Sequence, residues 1–307
     1  ASYDIPKTQT AVVFEKNNAP LQVRKDWPVV QPEELKPGEM LVLKVGDPVG
    51  VKWLANSCLG CEDCRKGHES TCEAIEFHGF SLDGSFQQWC VSYADHLTPI
   101  PKDMDLSAAA PVLCAGLTTY KALKETGGSP GEYVVIPGAG GGLGHLACQY
   151  AKAMGYRVIA IDTGEEKRKL ITSYGIENFI DFKEGDVLAK VKAATEGRDA
   201  HATVVVASDS AAYKDALSFL RPHGVAVLVS LPKDTQMMFD VVDSVTNAYR
   251  IIGSNVGNRQ DAIEALKLAA HGDVKSSYKI KSLDNLPSVF ERMASAQLPG
   301  RIVLNCA

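Results

Sequence analysis

Apolar residues follow different patterns in different parts of the chain. Between residues 130 and 253, runs that are apolar almost from end to end alternate with segments that carry apolar residues at helical spacing. Strands that are apolar on both faces are typical of a parallel sheet covered by helices, so this region predicts a doubly wound α/β domain. The predicted strands are 133–137, 157–161, 179–181, 203–207, 225–229 and 250–253, and the predicted helices are 144–154, 165–174, 187–195 and 211–220.

The first hundred residues predict irregular, mostly β structure. Short apolar runs at 10–14, 40–45 and 87–91 are separated by segments rich in Pro and Glu. Near residue 107 the pattern becomes helical, with Ser107 as the expected N-cap and a further helix over 116–125.

The change of pattern predicts two domains. Residues 1–113 and 258–307 form a mostly-β domain, and residues 114–257 form the doubly wound domain. The C-terminal part adds one amphipathic helix over 261–270 and short strands up to 300–304.

Composition and charge narrow the class of protein. Hydrophobic residues make up 45% of the 307 residues and charged residues 22%, which is typical of a folded globular protein. The net charge of −5 and the lack of a basic stripe predict no nucleic-acid partner. No apolar run reaches the roughly eighteen residues of a membrane span, and no signal segment is recognised, so we predict a cytoplasmic protein without a membrane partner.

A glycine-rich segment, G-A-G-G-G-L-G at 138–144, stands directly between the strand at 133–137 and the helix at 144–154. Glycines let a backbone approach a pyrophosphate, and a helix N-terminus offers N–H groups and a positive dipole end. Asp162 ends the next strand, where a carboxylate accepts the ribose hydroxyls of NAD and repels the 2′-phosphate of NADP. We therefore predict a Rossmann domain that binds NAD. A turn that serves only packing, and an Asp162 that only caps a helix, are the competing interpretations.

Cys58, Cys61, Cys64 and Cys72 follow the spacing C-x2-C-x2-C-x7-C. Four thiolates close a tetrahedral zinc site without an open position, so the cluster predicts a structural zinc. Free thiols and an iron–sulfur cluster are the alternatives. His68 lies within the loop and is expected to be a solvated residue rather than a ligand.

Five further strings of the sequence belong together: 53–72, 83–88, 110–118, 149–158 and 253–259. In this order they resemble the medium-chain zinc-dependent alcohol dehydrogenases, most closely their yeast and fungal tetrameric branch. The resemblance covers nearly the whole chain and implies a Rossmann coenzyme domain beside a GroES-like catalytic domain, with NAD and Zn2+ as cofactors. It also implies a small alcohol or aldehyde as substrate and a homo-oligomer, a tetramer rather than a dimer, joined through elements around 256–259 and 274–284.

The resemblance also implies roles for single residues. Cys114 takes the place of the third ligand of the catalytic zinc; without the family, a buried core thiol is the simpler interpretation. The implied cofactor contacts are Gly141, Gly142 and Leu143 to the pyrophosphate, Asp162 and Lys167 to the adenosine ribose, Phe182 near the adenine, Val229, Leu231, Ser254 and Val256 along the nicotinamide half, Thr118 near the nicotinamide, and Arg301 to the phosphates.

One part of the family pattern is missing. The segment that carries the first two catalytic-zinc ligands would follow the strand at 40–45, but Val45 is joined directly to Gly46. Either the native protein contains a segment that this sequence lacks, or the chain is a truncated isoform; recruitment of His78 or Asp47 as a ligand is a third alternative. Loss of the segment's strands would expose a sheet edge and apolar surface, which favours the first alternative.

Three functions follow from these alternatives. The first is an NAD-dependent dehydrogenase that oxidises small primary alcohols to aldehydes and catalyses the reverse reaction. The second is an inactive NAD-binding isoform or paralogue that keeps only the structural zinc. The third, a zinc-free relative of the quinone-reductase type, is disfavoured by the intact four-cysteine cluster.

Overall fold

The computed structural model describes residues 5–14, 20–42, 47–294 and 300–306. It divides into two compact units, one made of residues 1–114, 258–266 and 278–307 and the other of residues 115–257 and 267–277. The junction between Val45 and Gly46, and with it the end of the predicted strand at 40–45, lies outside the described residues. Within the described ranges, no helix is both long and apolar enough to cross a membrane.

The strands and helices are numbered in chain order. The strands are β1 (Thr8–Val13), β2 (Gln22–Pro28), β3 (Glu39–Val42), β4 (Val49–Gly50), β5 (Leu54–Asn56), β6 (Glu76–Phe77), β7 (Cys90–Tyr93), β8 (Thr98–Pro99), β9 (Tyr133–Pro137), β10 (Arg157–Asp162), β11 (Asn178–Asp181), β12 (Ala200–Val205), β13 (Leu220–Leu228), β14 (Arg250–Gly253), β15 (Tyr278–Ser282) and β16 (Arg301–Asn305). The helices are α1 (Glu62–Arg65), α2 (Leu106–Pro111), α3 (Leu117–Glu125), α4 (Gly144–Ala153), α5 (Glu165–Ser173), α6 (Val187–Ala194), α7 (Ala211–Lys214), α8 (Val241–Thr246), α9 (Arg259–Ala270) and α10 (Leu286–Ala294).

The second unit is built on a parallel six-stranded sheet. Its strand order is β11-β10-β9-β12-β13-β14, and all neighbours pair in parallel. The chain starts at the centre with β9, moves to one edge and then returns past β9 to the other edge, which places a topological switch point between β9 and β12. Ligands of such sheets bind at the carboxyl ends of the strands near this point.

Helices cover the apolar strands of this sheet. Val135 and Ile159, both fully buried, pack in one cluster with Val191 of α6. Leu146 and Tyr150 of α4 are also fully buried, and α4 lies against β9 and β10. The continuous apolar runs of the sequence become buried strands because both faces of the sheet are covered.

The first unit consists of small sheets. The pairs β1–β2, β3–β7, β4–β8 and β5–β6 are antiparallel, and β15–β16 is parallel. Loops between these strands carry the four-cysteine cluster.

Three details differ from the sequence expectation. Helix α2 begins at Leu106 and is capped by Asp105, whose carboxylate accepts from the Ser107 N–H at 3.0 Å; Ser107 is therefore not the N-cap. Helix α7 ends at Lys214 instead of near residue 220, because β13 already begins at Leu220. Residues 267–277 pack in the second unit, where Gln149 exchanges two hydrogen bonds with the backbone of Lys275, at 2.9 and 2.8 Å.

Candidate cofactor and metal sites

The glycine-rich turn after β9 requires glycine at definite positions. Gly138 has a φ of +85°, and its N–H donates to the carbonyl of Ile161 at 2.8 Å. A β-carbon on Gly144 would lie 2.0 Å from the Gly138 carbonyl oxygen. The turn can close onto α4 only because both residues lack side chains.

Asp162 stands at the end of β10, and its carboxylate accepts three hydrogen bonds at one side of this turn. It is 5% exposed, and its Oδ2 accepts from the Gly140 N–H at 2.8 Å. Its Oδ1 accepts from the Thr163 N–H at 2.8 Å and from Lys167 Nζ at 2.7 Å. A carboxylate has about four acceptor positions, so this one can still accept a ribose hydroxyl.

The predicted cofactor residues of the second unit lie at the carboxyl edge of the sheet. Each stands at the last residue of a strand or in the turn or helix start that follows it, and they range from buried Val229 to Leu231, which is 91% exposed. They are Gly141, Gly142 and Leu143 after β9, Asp162 and Lys167 after β10, Phe182 after β11, Val229 and Leu231 after β13, and Ser254 and Val256 after β14.

One buried polar atom at this edge lacks a partner within the described chain. Ser254 is 7% exposed, and its Oγ has no hydrogen-bond partner among the described residues. Because an unsatisfied buried hydroxyl costs free energy, such an atom indicates a position where a polar ligand group can bind. The glycine cradle and this hydroxyl together fit a dinucleotide.

Sequence reasoning missed Asp181, the carboxylate at the end of β11. It accepts from the Gly164 N–H at 3.0 Å and from the Lys183 N–H at 2.9 Å. Burial raises the pKa of Asp181, but these hydrogen bonds outweigh burial and hold the pKa below its usual value. The sequence did offer a signal for Asp181, because this carboxylate ends β11 as Asp162 ends β10, the neighbouring strand.

Cys114 and Arg301 belong to the first unit. Cys114 lies in the π-helical turn Val112–Gly116 and is exposed, which contradicts a buried core thiol. Burial lowers the pKa of Arg301, and attraction to Cys114 acts in the opposite direction. The contact of Arg301 with the cofactor phosphates, which the family resemblance implies, stays a prediction. Thr118 is buried at the start of α3.

The four cysteines of the first unit come together in one cluster. The sulfurs of Cys58, Cys61, Cys64 and Cys72 all lie within 4.8 Å of one another. Cys72 Sγ is 3.6 Å from Cys58 Sγ and 3.9 Å from Cys61 Sγ. Tetrahedral zinc with Zn–S bonds of about 2.3 Å separates its sulfurs by about 3.8 Å, so the cluster fits zinc and is too open for disulfides.

Backbone N–H groups of the loop point at these sulfurs. The N–H of Cys61 donates to Cys58 Sγ at 3.3 Å, and the N–H of Cys64 donates to Cys61 Sγ at 3.4 Å. Backbone hydrogen bonds from Gly60 and Cys61 lower the pKa of Cys58 to about 6. Burial acts in the opposite direction at Cys64 and raises its pKa to about 12, so the backbone donors favour the thiolate, the form that binds metal, at Cys58.

A buried histidine, His96, contacts the residue that precedes the four-cysteine loop. His96 is 2% exposed, its Nε2 lies 3.0 Å from Ser57 Oγ, and its Nδ1 has no hydrogen-bond partner among the described residues. Burial lowers the pKa of His96 to about 4. Lys52 is buried beside it and donates to the His96 carbonyl and to Thr98 Oγ1, and burial lowers its pKa to about 8.

The residues described do not fit a catalytic zinc. Among them, only the four-cysteine cluster brings three or more candidate ligands together. Recruitment of His78 is not supported, because its ring nitrogens contact the carbonyls of Lys52 and Val91 at 2.8 and 3.2 Å. Asp47 is exposed and pairs with Lys102 at 3.6 Å. Cys114 alone cannot hold the ion, because a catalytic zinc needs three protein ligands.

Comparison with known proteins explains the combination of sites. The family model "Zinc-binding dehydrogenase" matches residues 142–271, and "Alcohol dehydrogenase GroES-like domain" matches residues 33–102. The alcohol dehydrogenase of Schizosaccharomyces pombe is 48% identical over 264 residues, which are 86% of this chain and 75% of that protein. This chain belongs to the zinc-dependent alcohol dehydrogenase family. The predicted family, its α/β fold class and its class as an oxidoreductase are thereby confirmed.

Other members of the zinc-dependent alcohol dehydrogenase family are similar over comparable lengths. Alcohol dehydrogenase 1 of Emericella nidulans is 46% identical over 263 residues, 85% of this chain and 75% of that protein. The structure of the alcohol dehydrogenase from the archaeon Aeropyrum pernix superposes with a TM-score of 0.79 at 26% identity, covering 99% of this chain and 95% of that one.

Proposed function

We propose that the protein is an NAD(H)-dependent alcohol dehydrogenase that interconverts small primary alcohols and aldehydes. The observation that carries the NAD(H) part is the carboxylate of Asp162, fixed by Gly140 at the end of β10. At this position a carboxylate accepts ribose hydroxyls and repels a 2′-phosphate, so the cofactor is NAD rather than NADP. Gly141, Gly142 and Leu143, with the start of α4 behind them, supply the pyrophosphate site.

The cofactor residues divide the work along the edge of the sheet. Lys167 pairs with Asp162 at 2.7 Å and holds the carboxylate in one orientation beside the proposed site of the adenosine ribose. Ser254, with its buried hydroxyl, offers a polar contact in the nicotinamide half. Val229 and Val256 add apolar contacts there, and exposed Phe182 offers a ring to the adenine. We expect the alcohol substrate to bind beside Cys114, the proposed third ligand of the catalytic zinc.

The catalytic metal is proposed for the native protein and not for the described residues. Zinc in this family supplies a Lewis acid to an alcohol oxygen; we propose that its other two ligands lie in the segment missing between Val45 and Gly46. The 264 aligned residues are only 75% of the S. pombe relative, so that protein is longer than this chain. The alternative function, an inactive isoform that binds NAD and the structural zinc, applies if the native chain has no such segment.

Intact mass and turnover together decide between these functions. The protein purified from its native source should exceed the 33.0 kDa of this sequence, reduce NAD with ethanol and hold about two zinc ions per chain. C114A should abolish turnover while one zinc stays bound, and C148A, a change in the buried core of α4, should retain turnover. A native mass of 33.0 kDa with NAD binding but no turnover would establish the inactive isoform. Ethanol turnover at that mass would refute the assignment of the missing ligands.

We also propose a cytoplasmic homo-oligomer, a tetramer rather than a dimer. Strand β14 pairs only with β13 in the described sheet and leaves its other side as an edge. Beside it in sequence, Val241, Val242 and Val245 form an exposed valine face on α8, with Val242 and Val245 each 72% exposed. An unpaired edge next to apolar surface favours association with a second copy.

A further inference from the structure

Val256, which follows β14, has an unusual backbone conformation. Its φ is +40°, in the left-handed region that β-branched residues rarely adopt. Such a conformation costs free energy and persists only where the surrounding structure fixes it, which happens most often at functional sites. The residues on its C-terminal side show what fixes it here.

Asn258 attaches the chain after Val256 to the four-cysteine loop. Its Oδ1 accepts from the Asp261 N–H at 2.8 Å, while Asp261 Oδ2 accepts from the Asn258 N–H at 3.0 Å, which caps the start of α9. Its Nδ2 is thereby turned toward the loop and donates to the carbonyl of Gly67 at 2.9 Å. One side chain therefore both starts the helix and binds the loop.

Glu69 holds the next residue with two hydrogen bonds. Its Oε2 accepts from the Arg259 N–H at 3.1 Å, and its Oε1 accepts from Arg259 Nε at 2.9 Å. The carboxylate is buried, with Glu69 6% exposed. A buried, charge-assisted contact that includes the backbone N–H restricts the main chain itself and not only the arginine side chain.

The position of Glu69 depends on the metal loop. It opens the 3-10 turn Glu69–Thr71, which lies between Cys64 and Cys72. Because these two cysteines bracket it, zinc bound by the four cysteines would fix the position of the carboxylate without using it as a ligand. The carboxylate in turn fixes Arg259, three residues after Val256.

We propose that Glu69 is a positioning residue for the cofactor. Through Arg259, and together with the contact of Gly67 to Asn258, it holds Val256 in its left-handed conformation and so sets the affinity for the nicotinamide end of NAD(H). The inference rests on the proposed NAD(H) function and assigns to the four-cysteine loop a role in cofactor binding beyond stability.

The experiment compares NADH with ADP-ribose, which lacks the nicotinamide, by titration calorimetry on the zinc-loaded protein. E69Q keeps the shape but loses the charge that binds Arg259. N258D keeps the oxygen that caps α9 but loses the donor to Gly67. E62Q, an exposed change in the same loop, is the matched control.

We expect E69Q and N258D to bind NADH about tenfold more weakly and ADP-ribose within about twofold of the unchanged protein. Zinc content should stay at about one per chain or more, and E62Q should bind both ligands normally. Equal weakening for both ligands, or no weakening, would overturn the inference. If E69Q loses its metal, the result for N258D decides whether the inference holds, because N258D changes no residue of the loop. Loss of metal in N258D as well would overturn the inference, because the contact of Asn258 with Gly67 would then serve the loop alone. An unchanged protein that fails to bind NADH would instead refute the proposed function.

Discussion

The carboxylate of Asp162 and the backbone N–H of Gly140 form a 2.8 Å hydrogen bond across 22 residues of sequence. This bond joins the end of β10 to the glycine turn after β9, the two places where ribose and pyrophosphate bind in a Rossmann domain. The remaining Oδ1 contacts of the carboxylate, to Thr163 and Lys167, hold it in the same orientation. The ribose site therefore has its geometry before any ligand arrives, which reduces the entropy lost on binding.

Removal of this carboxylate should change the cofactor preference. In D162G the repulsion of a 2′-phosphate disappears, and Lys167 loses its partner and can bind the phosphate instead. We expect the ratio of NADH to NADPH affinity to fall by about tenfold or more, since a charge-assisted hydrogen bond is lost. Fluorescence titration with both cofactors measures it. E177Q, a change of an exposed carboxylate directly before β11, serves as the control and should leave the ratio unchanged. Equal affinities in the unchanged protein would contradict the prediction.

Loss of one cysteine of the cluster should remove the structural zinc. C72S replaces the buried ligand, and three thiolates with a hydroxyl bind zinc far more weakly than four thiolates. We expect the zinc content to fall by about one ion per chain, together with the melting temperature, because metal binding and folding of the loop are coupled. Atomic absorption and thermal unfolding measure both, with C306S, a cysteine outside the cluster, as control. An ordered loop that contains no zinc would refute the assignment.

The buried imidazole of His96 should make the protein sensitive to acid. Its pKa is about 4 in the folded protein against an ordinary 6.5, so the unfolded chain binds the extra proton between these values. Stability is therefore fully present above pH 6.5 and is lost as the pH falls toward 4, by at most about 3 kcal/mol. Protonation would place a charge at an Nδ1 that has no described acceptor, close to Lys52 and Arg259, whose charges Glu69 partly balances.

The test is urea unfolding between pH 4 and pH 7 for the unchanged protein and for H96Q. The free energy of unfolding of H96Q should depend less steeply on pH, and zinc loss at low pH, common to both, cancels in the difference. H271Q changes the exposed histidine that directly follows α9. Its free energy of unfolding should keep the steep dependence on pH. Parallel curves for H96Q and the unchanged protein would contradict the prediction.

Charge on the valine face of α8 should weaken self-association. Val242 and Val245 are largely exposed, so glutamates at both positions cost little in the monomer but would be desolvated in an interface. Light scattering at micromolar concentration should show an oligomer for the unchanged protein and smaller species for the double variant. L188E, at an exposed position of α6, should associate normally. A monomeric unchanged protein would exclude the proposed assembly.

Much of the second unit was predictable because its signals are local. The strands Tyr133–Pro137 and Arg250–Gly253 have the predicted bounds. Tyr133–Pro137 is buried along its whole length, as its continuous apolar run predicts. The glycine turn and Asp162 were recognisable because a strand, a turn and a helix follow one another in sequence. Element ends were less predictable: α7 stops at Lys214 because Leu220 must already enter the sheet, a tertiary requirement that helical spacing does not contain.

The contacts between distant residues could not be predicted from local pattern. Glu69 appeared as one more acidic residue of a charged loop, and Asn258 as part of a family motif, because nothing near either residue names its partner. The same holds for His96, whose burial depends on strands of separate sheets. For the catalytic metal, the sequence alone was sufficient: it lacks the segment that the resemblance expects to carry two of the ligands. The described residues supply no replacement cluster.

The division of the first unit between the two ends of the chain sets an order of events during synthesis. Glu69 is synthesised 190 residues before its partner Arg259. At ordinary rates of translation this separation corresponds to about 10 to 40 seconds. Most of the Rossmann sheet is synthesised within that interval, since β9 to β13 lie between Glu69 and Arg259 in sequence, whereas β14 directly precedes Arg259 and residues 267–277 of the same unit follow it. The four cysteines of a nascent chain are therefore complete long before their loop gains its arginine, and early zinc capture by these cysteines would protect the loop from oxidation until the C-terminal strands arrive.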